Sequence, residues 1–82
     1  MTDTKALRTA IKASGLTYKA IAQALGIAAY TLQMKIDNDT EFKVSEVEKI
    51  SQMLGFTMEQ KDAIFLHDSG IILHYLALSR SI

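Results

Sequence analysis

Five side chains in the middle of this 82-residue chain can address a base edge or a phosphate: Lys19, Tyr30, Gln33, Lys35 and Lys43. A glutamine amide presents a donor and an acceptor that match the edge of adenine, while an ammonium or a phenol reaches phosphate. Ala28 and Ala29 precede Tyr30, and their methyls suit the methyl of thymine. Met34 lies four residues after Tyr30, so the two share a helical face. Tyr and Met are enriched at the centres of protein interfaces. That face is therefore either an apolar contact for a protein partner or a flank of the core. Lys19 and Lys35 read equally well as ordinary solvated lysines. Asp37, Asp39 and Glu41 follow as loop acids. Over residues 17–43 three lysines meet three carboxylates, which leaves no net charge. Counterion release then drives phosphate binding weakly, and the loop acids repel phosphate at short range.

Little other chemistry is visible. Cys is absent, which excludes a disulfide framework, a thiolate metal site and a thiol nucleophile. His67 and His74 are the only histidines and have no acid at ligand spacing, so no metal site is expected. Asp68 beside His67 suggests at most a local hydrogen bond. No glycine-rich phosphate loop and no nucleophile elbow occurs. The expectation is a non-enzyme without cofactor or small-molecule substrate. Nine basic and nine acidic residues balance to zero, where a dedicated nucleic-acid binder usually carries a basic excess. No secretory pattern opens the chain and no apolar run is of membrane-spanning length, which together with the missing Cys suits the cytoplasm.

The length allows one small domain, and a hydrophobic content of 49% predicts that it is packed. Pro is absent, and Gly15, Gly26, Gly55 and Gly70 each follow a segment of helical apolar spacing. The chain therefore reads as all-α, with five helices and a tail. The first helix lies within residues 2–15, is capped by Asp3 or Thr4, and turns Leu7, Ala10 and Ile11 to one face. The second follows Thr17 as its cap and has an inner stripe of Ala20, Ile21, Ala24 and Leu25. The third runs from about Ala28 to Ile36 with Leu32 and Ile36 inward. Ser45 and Glu48 form a capping-box pattern for the fourth, whose inner face is Val47, Ile50, Met53 and Leu54. Thr57 and Gln60 repeat that pattern for a fifth helix carrying Ala63, Ile64 and Leu66. Phe42 and Phe56 read as plugs of the core.

The second and third segments form a unit of two short helices joined by a tight turn. A small residue, Ala22, falls at the crossing, Gly26 takes the turn, and Ile21, Leu25, Ile27 and Leu32 close the core between the helices. This is the helix-turn-helix pattern, whose second helix enters the major groove. Over residues 4–66 the stretches GLTYKAIAQALGI, TLQMKI and TEFKVSEVEKISQMLGFT resemble the Cro/cI (XRE) family of regulators, in particular its small phage-repressor-like members. The resemblance implies a compact five-helix domain, here residues 1–68, that binds operator DNA as a dimer. Its contacts would come from Lys19, Ala28, Ala29, Tyr30, Gln33, Met34, Lys35, Asp37, Asp39 and Lys43. The family usually places Ser or Thr, then Arg or Gln, where this chain has Ala28 and Ala29. It usually follows with Asn-Gly and a Lys where this chain has Asp37, Asn38 and Asp39.

Residues 69–82 form an apolar tail outside the resemblance, IILHYLAL being apolar around most of its circumference. Such a segment packs back on the domain or joins a second subunit, and the small core favours a dimer or partner contact. Two functions follow. One is a repressor-like transcriptional regulator that binds double-stranded operator DNA as a homodimer. The other is an antirepressor, which binds a repressor protein through the acidic loop and the Tyr30–Met34 face.

Overall fold

The computed structural model describes residues 1–66. Five helices follow one another: α1 (Thr4–Ser14), α2 (Tyr18–Leu25), α3 (Ala29–Ile36), α4 (Val44–Leu54) and α5 (Met58–Phe65). There is no strand among the described residues. The sequence starts most helices with its own oxygen atoms. The Asp3 carboxylate accepts from the Ala6 N–H at 3.1 Å, and the Thr17 hydroxyl accepts from the Ala20 N–H at 3.0 Å. Thr57 and Gln60 close a reciprocal box at 3.1 and 2.9 Å. Each such cap satisfies a helix-end N–H that has no partner inside the helix.

One helix start differs from the expectation. α4 begins at Val44, and the carboxylate of Glu46, not that of Glu48, accepts from the N–H of Lys43 at 2.8 Å. Glu48 pairs instead with the Lys61 ammonium at 2.9 Å and ties α4 to α5. Ser45 is therefore a first-turn residue rather than a cap.

The core consists of Leu7, Ile11, Ile21, Ala22, Leu32, Ile36, Ile50, Ile64 and Phe65. Leu7, Ile21, Leu32, Ile36 and Ile50 are completely enclosed, and each such side chain stabilises the fold by roughly 1.5–3 kcal/mol through burial. α2 packs most closely on α3 and α4, while α1 touches α3, α4 and α5. Ala10, Ala20, Leu25, Val47, Met53, Leu54 and Leu66 are half-buried, and Ala24 is exposed. At the end of α5 the expected Ala63 is exposed and Phe65 is buried in its place. Phe65 meets Phe42 edge-to-face, with ring centres 5.3 Å apart, and Phe56 at 6.4 Å. The two phenylalanines expected to plug the core thus close around a third.

The N-terminus is strapped across the bundle. The Asp3 N–H donates to the Ile64 carbonyl at 2.6 Å, and the Thr4 hydroxyl donates to the Ile36 carbonyl at 2.5 Å. Asn38 completes the strap. Its amide oxygen accepts from the Thr2 N–H at 2.8 Å, and its amide nitrogen donates to the Thr2 carbonyl at 2.9 Å. Asn38 stands at φ 67°, a left-handed conformation that asparagine tolerates better than most residues. The C-terminal end of α3 is therefore fixed from the side of the N-terminus.

Candidate functional site

The geometry of α3 follows from the turn before it. Gly26 takes φ 73°, and the Ile27 N–H donates to the Ala22 carbonyl at 3.0 Å. Ala22, whose carbonyl anchors this turn, is buried. Ala28 is extended and precedes α3, and it offers no side-chain cap. Leu32 and Ile36 then point inward. Ala28, Ala29, Tyr30 and Gln33 are left on the exposed face, and Met34 is half-buried. Tyr30 is 75% exposed, so it is not a flank of the core. Met34 stands between surface and core, and its carbonyl accepts from the Asp39 N–H at 2.9 Å.

Lys35 corrects the expectation of a surface lysine. It is buried, its ammonium lies 2.9 Å from the Glu46 carboxylate, and it donates to the Glu41 carbonyl at 3.0 Å. Burial by itself would raise the pKa of Glu46. The Lys43 backbone N–H and then the Lys35 ammonium outweigh it and hold the carboxyl below its ordinary range. A side chain committed in this way does not reach a phosphate. Lys19 near the start of α2 and Lys43 just before α4 remain exposed.

Asp37 is also engaged. Its carboxylate pairs with the guanidinium of Arg8 on α1. Both side chains are partly exposed, so the pair contributes little to stability, but it cancels one of the three loop acids. Asp39 and Glu41 remain exposed. Arg8, Tyr18, Gln33 and Ile36 line one small cleft. Gln33 thus sits beside a cation and a phenol that come from α1 and α2. Neither Arg8 nor Tyr18 stands out in the sequence as a site residue. Arg8 meets Asp37 across 29 positions, a separation that helical periodicity does not bridge.

The cleft brings together the amide of Gln33, the phenol of Tyr18 and the guanidinium of Arg8, while Lys19, Ala28, Ala29, Tyr30 and Lys43 are exposed elsewhere on the chain. Among the described residues no three His, Cys, Asp or Glu side chains gather as they would around a metal ion. No helix among them is long and apolar enough to cross a membrane. His67, His74 and the apolar tail lie outside the described residues. Comparison with protein-family models, with curated proteins and with solved structures gave no match.

Proposed function

We propose that the chain is a cytoplasmic transcriptional regulator of the Cro/cI helix-turn-helix type, which binds operator DNA as a homodimer with α3 in the major groove. The observation that carries this reading is the polar cleft where Gln33 on the exposed face of α3 stands beside Arg8 and Tyr18. Gln33 would read an adenine, and Ala28 and Ala29 would pack on thymine methyls. Lys19, Lys43, Tyr30 and Arg8 would hold phosphates. Lys35 drops out of the contact set because it is committed to Glu46.

The test is binding to the duplex that flanks the chain's own gene, repeated across salt. The expected result is a preference for that duplex over random sequence, with half-sites about one helical turn apart. Three cations per subunit predict a log–log salt slope of about −3 per subunit. Gln33→Ala should lose discrimination at one base pair, by roughly 1–3 kcal/mol, and leave the slope unchanged. No preference over random duplex at low salt would overturn the reading.

A second reading is favoured by a specific pair of observations: Lys35 is withdrawn from the surface, and Tyr30 stands almost fully out of it. An antirepressor would use Tyr30, Met34 and the acids Asp39 and Glu41 against the basic DNA-binding face of a repressor protein. Under this reading Tyr30→Ala weakens the protein complex and the gene-flanking duplex is not retained.

A further inference from the structure

A groove of about 550 Å³ lies between the N-terminus, α4 and α5. Its apolar lining comes from Met1, Phe42, Val44, Val47, Phe65 and Leu66. Val44 is 79% exposed although it faces this groove from the first position of α4. Thr2, Asn38, Glu41, Glu48, Lys61 and Asp62 line the rest of it, so the apolar stripe is one that a short apolar segment can cover.

We propose that the occupant is the chain's own segment 71–78, IILHYLAL, folded back in cis. Two facts select it. Leu66, the last described residue, is itself part of the groove wall, so the chain leaves the described domain at the site to be filled. Only His67, Asp68, Ser69 and Gly70 separate Leu66 from Ile71, and four residues span at most about 14 Å. Ile71, Ile72, Leu73, Tyr75, Leu76 and Leu78 are therefore tethered within reach of Val44 and Phe65. A short tether gives an effective concentration in the millimolar range. A second copy, or a partner at micromolar concentration, competes poorly with that. The proposal is independent of whether α3 meets DNA or protein.

The natural absence of Cys makes the test direct. In the full chain, Val44→Cys is combined in turn with Ile72→Cys, Leu73→Cys and Leu76→Cys, and each variant is oxidised over a range of dilutions. The expected product for at least one pair is a cross-linked monomer whose yield does not change with concentration. Cross-linked dimers alone, with a yield that falls on dilution, would assign the groove to a second copy and overturn the cis proposal. Absence of any cross-link at all three pairs would overturn it as well. A double-mutant cycle of Val44→Ala and Leu76→Ala supplies a measurement that needs no disulfide geometry. If the two side chains touch, the double variant loses less thermal stability than the sum of the single losses. Strict additivity counts against contact, and neither experiment depends on DNA binding.

Discussion

Lys35 shows how one buried charge organises the loop between α3 and α4. Its ammonium gathers the Glu46 carboxylate and the Glu41 carbonyl, and Glu46 in turn holds the first turn of α4 through the Lys43 N–H. Removing one partner of a buried pair leaves the other charge uncompensated. Lys35→Met should therefore cost about 3–5 kcal/mol, read by denaturant unfolding, whereas Lys35→Met with Glu46→Leu should recover most of the loss. The pair also has a pH signature. Glu46 is held below its ordinary value near 4.5, so its contribution is fully present above that value. It is lost as pH falls through the lower folded value. Unfolding midpoints measured from pH 6 down to about pH 3 should drop more steeply in the wild-type chain than in the double variant. Asn38 is the second residue of this kind. Asn38→Ala places a Cβ without a local hydrogen-bonding group at φ 67° and strips Thr2 of both backbone partners, for an expected loss of about 2–3 kcal/mol. Asn38→Gly should lose less, since only the hydrogen bonds go.

Ala22 is buried in α2, the helix that packs on α3, and its size should matter to binding more than to folding. Ala22→Leu adds three carbons at a buried contact and should cost about 1–3 kcal/mol in stability. It should also rotate the exposed face of α3 and shift Gln33 away from Arg8 and Tyr18. If α3 is the binding element, affinity falls well beyond the fraction unfolded; a variant that folds and binds normally would detach function from this crossing. Elements built from local signals are the ones the sequence makes legible. Thr17 acts on Ala20, three positions on, Gly26 bonds back to Ala22 and Gln23, and Asp3, Thr57 and Gln60 cap their own helices. What is not legible is set by distant contacts. The Lys35 pair spans α3 and α4, the Arg8 pair spans α1 and the end of α3, and the Thr2 strap crosses 36 positions. Helical spacing places Lys35 beside the inward Ile36, but only the position of α4 decides that it is buried. The start of α4 is set in the same place: the Glu46 carboxylate that accepts from the Lys43 N–H is also the partner of Lys35. Phe65 carries no local signal, because its burial depends on Phe42 and Phe56 converging from two loops.

At the scale of the whole molecule, net charge is the quantity that separates the two functions. The chain carries no formal net charge, so a sequence-independent attraction to DNA is weak and the fit of one small face must supply affinity. Exchanging Asp37 and Asp39 for Lys adds two charges at each position and brings the total to +4. Asp37→Lys also releases Arg8 from its carboxylate partner beside Gln33. If the chain binds DNA, this double variant binds more tightly at low salt, and its log–log salt slope steepens by about two per subunit, one unit for each added lysine that reaches a phosphate. Preference for the gene-flanking duplex should shrink, because the added attraction is blind to sequence. If the chain masks the basic face of a repressor, the same exchange sets like charges against each other and weakens the protein complex, with the effect fading as salt rises. Asp37→Asn with Asp39→Asn should fall between the wild-type chain and the lysine variant in either assay. A lysine variant whose DNA affinity and salt slope both equal those of the wild type would place residues 37–39 away from any phosphate and rule out the α3-in-groove orientation.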